Sequence, residues 1–235
     1  MNAFIVHAHP EPKSFTSSMK DAAVAHYTAA GHTVVVSDLY AMKFNPVASA
    51  ADFGTQGNPE YMNYALEQRA NADAGTLAPD IEAEIAKLLA ADLIILSFPL
   101  YWFSVPAILK GWIDRVLVSG RIYGGRRIYD AGKLKGKRAT LALTCGGRDY
   151  MLAEDGIHGD INNILKHVLQ GTLGYVGLTV LPPFVGYHIP YLKPEQRDEI
   201  MASYRAFLAG LDAATPMKIP SLADFDPQMR RLAAP

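Results

Sequence analysis

The sequence predicts an α/β protein built on a doubly wound parallel sheet with helices on both faces. Five short apolar or β-branched segments, typical of buried parallel strands, alternate with segments of helical spacing. This alternation favours strand–helix–strand units. Half of the 235 residues are hydrophobic, which is enough for one sizeable core. We therefore expect one domain over residues 1–212 and a short C-terminal tail over residues 213–235.

The first half of the chain contains two of the predicted strands. Ala3–His7 is an apolar run that ends in His-Ala-His-Pro, and Thr33–Val36 is β-branched. Between them, Ser17–Ala30 has a helical pattern of apolar residues that Gly31 ends. The following segment, Ala41–Gly75, has no clear periodicity. Because it is long for a structureless connection, we expect it to be functional or bound to a partner.

The second half supplies the other three strands and their helices. Helix Pro79–Ala90 has Asp80 and Glu82 in its first turn, and a later helix is expected to have Ser104 near its N-cap and Pro106 in its first turn. The remaining predicted elements are, in order, strand Leu93–Phe98, strand Ala139–Thr144, helix Ile161–Val176, strand Thr179–Phe184 and helix Pro194–Leu211.

Composition and charge exclude several classes of protein. The net charge is −1 and there is no basic stripe, so we expect no nucleic-acid partner. The single cysteine, Cys145, permits no internal disulfide and suits a reducing compartment. The N-terminus begins directly with a strand and has neither a basic leader nor an apolar span. We therefore expect a cytoplasmic protein without membrane insertion.

The turn after the first strand distinguishes between two doubly wound folds. A dinucleotide-binding fold of the Rossmann type has G-x-G-x-x-G at this turn, whereas this chain has HAHPEPKSFTSSM, with no glycine. This argues against a nicotinamide cofactor held there and favours the flavodoxin-like strand order 2-1-3-4-5.

Two of the loops at the carboxyl edge of the sheet combine polar and aromatic groups. In the first, residues 9–18, serine and threonine hydroxyls precede a helix N-terminus, which suits a phosphate, although such residues also gather at helix starts as plain caps. In the second, Tyr101, Trp102 and Phe103 follow a strand, where they suit a flat ligand. The alternative is that these aromatics only cap the core or fill a subunit contact.

The third loop, residues 144–158, has glycines that permit a close approach of the backbone to a ligand. Gly146 and Gly147 offer backbone N–H groups to a polar ring edge, and His158 lies in Gly-Ile-His-Gly. This histidine suits proton donation to a flavin or a quinone, or else a structural role in the loop. A flavin requires a phosphate-binding site, an aromatic surface for its ring and hydrogen-bond donors for the polar edge of the ring, and the three loops together offer these groups.

In these segments the chain resembles the mammalian-type NAD(P)H:quinone oxidoreductases, the DT-diaphorase family. The similarity covers residues 3–211 and is carried by SDLYAMKFNPV, LAPDI, FPLYWFSVPAILKGWIDRV and GIHGDIN. The resemblance implies a flavodoxin-like homodimer with bound FAD. It also implies two-electron, ping-pong hydride transfer from NAD(P)H to quinones or other flat aromatic acceptors.

The resemblance also implies roles for individual residues. The implied cofactor contacts are His9, Ser14, Phe15 and Thr16 at phosphate and ribose, Pro99, Leu100, Tyr101, Trp102 and Phe103 at the ring face, Thr144, Cys145, Gly146 and Gly147 at the ring edge, and Asn63, Asp114 and Arg197, some of them from the partner subunit. Tyr123 and Tyr175 are the implied substrate-pocket residues. No metal site is expected, because Cys145 lies outside the metal-binding positions of the family.

The implied catalytic pair contains one departure from the family. His158 is in place, but its tyrosine partner is aligned with Leu152, and Tyr150 lies two residues earlier. We expect Tyr150 to substitute for it. The alternative is that the role is lost and that His158 with backbone donors suffices.

Two further functions remain open from the sequence. The first is an azo-, nitro- or flavin reductase with FMN or FAD, although Phe15, Arg197 and the chain length favour FAD over FMN. The second is a flavin-binding regulatory or electron-carrier subunit, although such carriers are usually strongly acidic and this chain is nearly neutral.

Overall fold

A parallel sheet forms the centre of the molecule in the computed structural model, which describes residues 1–232. The strands are β1 (Asn2–His7), β2 (Thr33–Asp38), β3 (Leu93–Pro99), β4 (Arg138–Thr144), β5 (Thr179–Val180) and β6 (Phe184–Gly186). Their order is β2-β1-β3-β4-β5, with β6 also paired to β4, and every pairing is parallel. The predicted fold class and strand order are confirmed.

Helices cover both faces of the sheet. They are α1 (Phe15–Ala29), α2 (Tyr64–Ala74), α3 (Pro79–Ala90), α4 (Ala107–Val116), the short α5 (Ile161–Ile164) and α6 (Lys166–Val168), and α7 (Pro194–Gly210). Along β1, Phe4 and Val6 join a core cluster with α3 and α4, whereas Ala3 and Ile5 join a second cluster with α1 and α7. This alternation is the two-residue period of a strand that is buried on both faces.

The predicted fifth strand is wrong in its continuity. Residues 179–184 form β5 and the beginning of β6, separated by Leu181 and by Pro182–Pro183. Proline has no N–H to donate to a ladder, so two consecutive prolines interrupt the strand. Both pieces nevertheless pair with β4, which keeps the edge of the sheet in place.

The predicted helix over Ile161–Val176 is also interrupted. After α5 and α6, residues Leu169–Gly174 form a π-helical turn. Leu165 leaves helical geometry at ψ 7°. Thr172 Oγ1 donates to the His167 carbonyl oxygen at 3.0 Å. This side-chain bond uses a carbonyl that main-chain N–H groups of a regular helix would otherwise bond.

Helix α4 begins later than the sequence predicts. Pro106, rather than Ser104, is its N-cap, and its first helical residue is Ala107. Ser104 is committed elsewhere, because it exchanges two backbone hydrogen bonds of 3.0 Å with Tyr101 and its hydroxyl contacts His167 Nε2 at 2.8 Å. A serine whose backbone closes a tight turn is not available to cap the helix that follows.

The segment Ala41–Gly75, which lacks periodicity, contains α2. Asn63 caps this helix by accepting from the Leu66 N–H, and Gly75 ends it in the left-handed conformation. Its buried residues are polar: Glu67 accepts from the Gly57 N–H at 2.9 Å and Asn71 from the Thr55 N–H at 3.2 Å. Because hydrogen bonds replace apolar contacts on the buried side, no amphipathic pattern is visible in the sequence.

The C-terminal tail is hydrogen-bonded to the domain at several points. The Met217 N–H donates to the Val180 carbonyl at 2.8 Å, which continues the β5 edge. Farther on, the Asp130 carboxylate accepts from the Ser221 hydroxyl at 2.6 Å and from the Leu222 N–H at 3.0 Å. These hydrogen bonds lower the pKa of Asp130. The last three residues of the predicted tail lie outside the described residues.

Within residues 1–232, no helix combines the length and the apolar character needed to cross a bilayer. The cytoplasmic location suggested by the composition remains a prediction.

Candidate active site

Three loops at the carboxyl ends of β1, β3 and β4 meet around one cavity of about 370 Å³. This volume lies within the usual range for a small-molecule site. Thr16 and Thr144 connect two of the loops, since their hydroxyl oxygens are 2.8 Å apart and both residues are buried. The lining residues are His9, Lys13, Ser14, Phe15, Thr16, Pro99, Leu100, Tyr101, Thr144, Cys145, Gly146, Ile189, Pro190 and Arg197.

The loop after β1 presents an anion-binding helix end. Ser14 is the N-cap of α1 and accepts from the Ser17 N–H at 3.0 Å. Among the described residues, the Phe15 and Thr16 N–H groups have no hydrogen-bond partner. Free N–H groups at the positive end of a 15-residue helix stabilise a phosphate. Burial lowers the pKa of His9, which therefore favours its neutral form here.

A second buried histidine lies beneath the same loop. His7 Nδ1 is 3.0 Å from Ser97 Oγ and Nε2 is 3.1 Å from Ser17 Oγ, so the ring connects β1, β3 and α1. Burial lowers the pKa of His7 to about 4. The side chain is therefore neutral at pH 7 and holds the base of the anion-binding loop in place.

The aromatic loop after β3 is a tight turn. Trp102 and Phe103 both have left-handed backbone, with φ values of 49° and 59°, and the hydrogen bonds between Tyr101 and Ser104 close the turn. Two consecutive non-glycine residues in this region store strain, which typically marks a functional site. Tyr101 lines the cavity, whereas Trp102 is 95% exposed.

The loop after β4 is held by the loop that follows β6. The His188 N–H donates to the Gly147 carbonyl at 2.9 Å and the Ile189 N–H to the Cys145 carbonyl at 3.2 Å. His188 Nδ1 is 3.0 Å from the Gly146 carbonyl. The carbonyl oxygens of this loop therefore have donors. The Gly146 and Gly147 N–H groups, in contrast, have no hydrogen-bond partner within residues 1–232. These are the donors that a polar ring edge requires.

Comparison with known proteins identifies the family of the chain. Residues 1–210 match the protein family described as Flavodoxin-like fold. The chain belongs to this family. It is 42% identical, over 95% of its length and 82% of the relative, to NAD(P)H dehydrogenase [quinone] 1 of Cavia porcellus. It is 45% identical, over 85% of its length and 87% of the relative, to ribosyldihydronicotinamide dehydrogenase [quinone] of Homo sapiens.

A solved structure has nearly the same fold. A protein from Klebsiella pneumoniae described as a quinone reductase superposes with a TM-score of 0.93 at 37% identity, over 98% of this chain and 93% of that one. The family predicted from the sequence is therefore confirmed.

Most of the predicted cofactor-binding residues line the cavity, but five of them do not. Trp102, Phe103 and Gly147 belong to the same loops without lining it. Asn63 lies elsewhere, as the cap of α2. Asp114 forms an exposed ion pair with Lys110 at 2.6 Å.

The two predicted substrate-pocket tyrosines lie together beside a different cavity. Tyr123 and Tyr175 have ring centroids 5.7 Å apart, and with Asp114 they line a space of about 320 Å³ between the end of α4 and the π-helical turn. Burial raises the pKa of Tyr175, so its phenol stays protonated at neutral pH.

The predicted catalytic residues lie on the Asp149–Leu152 turn and the loop that follows it. Leu152 is 3% exposed and belongs to the core, so its position provides no donor. Tyr150 is 64% exposed, and the His158 ring packs against Phe103 with centroids 5.1 Å apart. The His158 N–H closes the loop by donating to the Met151 carbonyl at 3.0 Å.

Arg197 separates the cavity from a larger one of about 620 Å³ between α1 and α7. Phe15 and Arg197 line both spaces. Within residues 1–232, the buried Arg197 Nε has no hydrogen-bond partner. A buried cationic donor without an acceptor favours an anionic ligand at this point.

The sequence analysis missed the residues of the β6–α7 loop. Ile189 and Pro190 line the cavity, and His188 holds its rim. Their position directly after the last strand was the available signal, because that loop also lies at the carboxyl edge of the sheet.

No metal centre is visible among residues 1–232, where no group of three His, Cys, Asp or Glu side chains has suitable geometry. Cys145 is buried at the cavity, and burial raises the pKa of its thiol. It is therefore a neutral, poorly nucleophilic group at pH 7.

Proposed function

We propose that this protein is a homodimeric, FAD-dependent NAD(P)H:quinone oxidoreductase. The observation that carries the proposal is the cavity in which an anion-binding helix end, an aromatic turn and unpaired loop amides meet. The family's relatives named NAD(P)H dehydrogenase [quinone] support the same activity. We place a carrier or regulatory role second, because such carriers are usually strongly acidic and this chain has a net charge of −1.

Arg197 favours FAD over FMN. The α1 N-terminus in the first cavity would hold one phosphate, which either flavin nucleotide has. Phe15 and Arg197 also line the second cavity, between α1 and α7, where the other half of a dinucleotide would find room. A second phosphate would supply the acceptor that Arg197 Nε lacks.

A flavin held by these residues would supply the redox chemistry, which is hydride transfer from a nicotinamide donor to the acceptor. The protein's residues do the rest. The Gly146 and Gly147 N–H groups donate to the ring edge and stabilise the negative charge that develops there. His158, and Tyr150 beside it in the loop, are the side chains that we propose as proton and hydrogen-bond donors.

A second copy of the chain is proposed to complete the site. Trp102, Ile157 and Tyr150 are exposed at 95%, 83% and 64%, an unusual set of large apolar side chains for two neighbouring loops. The pocket tyrosines beside Asp114 form a half-open space that an opposing subunit can close. A flat, aromatic-walled site suits quinones, and also azo or nitro compounds as slower acceptors.

Cofactor release tests the proposal directly. We expect the purified protein to be yellow, to release FAD rather than FMN on heating, and to bleach with NAD(P)H without oxygen. Steady-state turnover with NADH, NADPH and a quinone panel should exceed turnover with azo and nitro compounds. A colourless protein that gains no activity with added FAD would contradict the proposal.

A pair of Arg197 variants separates the two flavins. Arg197→Gln should raise the dissociation constant of FAD about 10- to 100-fold and leave that of FMN unchanged, since a charged hydrogen bond to the second phosphate is lost. Arg197→Lys keeps the charge without the Nε donor and should be intermediate. Equal losses for FAD and FMN would place Arg197 outside the dinucleotide site.

A further inference from the structure

We infer that His188 is the positioning residue of the loop formed by Cys145, Gly146 and Gly147. Three carbonyl oxygens of this loop accept hydrogen bonds from His188 and Ile189, and the only other donor to them among the described residues is the Cys145 thiol, 3.5 Å from the Gly147 oxygen. The inference rests on the proposed function, because the N–H groups that this loop orients are the ones proposed to donate to the flavin.

The His188 side chain makes a contact that requires a side-chain N–H donor at this position. A carbonyl oxygen only accepts, so the 3.0 Å contact between Nδ1 and the Gly146 oxygen requires a proton on Nδ1. This fixes the tautomer. The same residue donates its backbone N–H to the Gly147 oxygen, so it fastens two consecutive peptide units of the loop.

The backbone of His188 is itself unusual. Its φ is 59° and its ψ is 19°, the left-handed region that few non-glycine residues adopt. In that conformation the N–H and the imidazole both face the loop after β4. The ring also packs on Tyr191, with centroids 4.8 Å apart and planes 36° apart, which restricts its rotation.

The consequence for the site follows from the geometry of a peptide unit. The carbonyl of one residue and the N–H of the next point in opposite directions. With the Cys145 and Gly146 carbonyls held towards the β6–α7 loop, the Gly146 and Gly147 N–H groups are turned away from it. Gly146 lines the cavity, where these donors meet the ring edge of the cofactor.

Variants at His188 test this role. His188→Asn keeps a side-chain N–H and favours the left-handed backbone, whereas His188→Asp has the same shape but no donor. His188→Phe removes the donor without adding charge and keeps a ring beside Tyr191. We expect His188→Asn to resemble wild type. The other two should raise the flavin dissociation constant about three- to tenfold, the value of one hydrogen bond.

Two further readouts separate positioning from general stability. The midpoint potential of the bound flavin should shift in His188→Asp and His188→Phe but not in His188→Asn. In flavin-free protein, the amide resonances of Gly146 and Gly147 should move or broaden in the same two variants. If His188→Phe does not fold, the isosteric Asn and Asp variants still decide the question.

Three results would overturn the inference. They are unchanged flavin affinity, potential and glycine amides in both donor-less variants, equal losses in all three variants, or His188→Asn behaving like His188→Asp. In those cases a wild-type protein that holds FAD leaves the proposed function intact. A wild-type protein that binds no flavin overturns the proposed function, and this inference with it.

Discussion

Leu152 shows how the environment of one residue decides whether a motif transfers between relatives. The resemblance aligns a catalytic tyrosine with this position, where the apolar side chain packs in the core, beside the site that a Cβ on Gly147 would occupy. Tyr150, on the same short turn, is exposed. We therefore expect the donor either to be Tyr150 or to be His158 acting with the loop amides.

Substitution at the two residues distinguishes these alternatives. We expect His158→Gln to slow hydride transfer to the flavin about 10- to 100-fold, the usual cost of one aimed donor. Tyr150→Phe should also slow it, by less. Stopped-flow reduction without oxygen measures the step, and Tyr61→Phe, at another exposed tyrosine, serves as the control. A wild-type rate in Tyr150→Phe would show that the tyrosine role is absent.

At the scale of elements, the aromatic turn after β3 is strained and leaves its largest side chain, Trp102, exposed. The Tyr101–Ser104 hydrogen bonds hold Trp102 at the tip, in left-handed backbone and almost fully exposed. An exposed tryptophan marks a contact with a ligand or with another protein surface, and tryptophans buried at interfaces are common anchors. The turn is therefore the element that we expect to contact a second subunit.

Replacing Trp102 tests the role of this turn. Trp102→Ser should raise the dimer dissociation constant about 30-fold or more, as loss of an interface anchor does. Sedimentation measures the change. The fold should be unaffected, because the side chain makes almost no contacts within the subunit. Val35→Ser, on the exposed edge strand β2, is the control. An unchanged dimer in Trp102→Ser would place the interface elsewhere.

At the scale of the whole molecule, the stability of the fold is linked to a histidine. His7 is 1% exposed and connects two strands and a helix through Ser97 and Ser17. Burial lowers its pKa from 6.5 to about 4, with Asp38 opposing this effect and Lys20 adding to it. Between these values the unfolded chain binds a proton that the native protein does not bind.

Stability should therefore fall as the pH decreases from about 6.5 towards 4. The contribution is fully present above pH 6.5, and its loss amounts to on the order of 3 kcal/mol. His7→Gln keeps hydrogen-bonding groups but does not titrate, so its unfolding free energy should vary less over this range. Urea unfolding at pH 8, 6 and 4.5 measures both proteins. At pH 8 His7 is neutral in the folded and the unfolded chain, so the difference in unfolding free energy between the two proteins there gives the cost of replacing the side chain. Parallel pH curves would contradict the prediction.

Elements with regular apolar patterns could be predicted from the sequence. The β1, β3 and β4 strands, α1, α3 and the strand order follow from buried runs, helical spacing and the glycine-free first turn. Helix α2 could not be predicted from apolar spacing, because the residues on its inner side are polar. Glu67, Gln68 and Asn71 are buried there and form hydrogen bonds instead of apolar contacts. Similarly, the start of α4 depends on a turn that withdraws Ser104 from capping.

The sequence by itself determined the fold class, the family and the three loops that we propose as the site, because these depend on local periodicity and on motifs within short segments. Only the tertiary structure decided which residues share the cavity. It brought Ile189 and His188 to the loop after β4, left Arg197 Nε without an acceptor and turned Leu152 into the core. The physical reason is that hydrogen-bond satisfaction and burial are properties of the packed chain, since the partners come from distant segments.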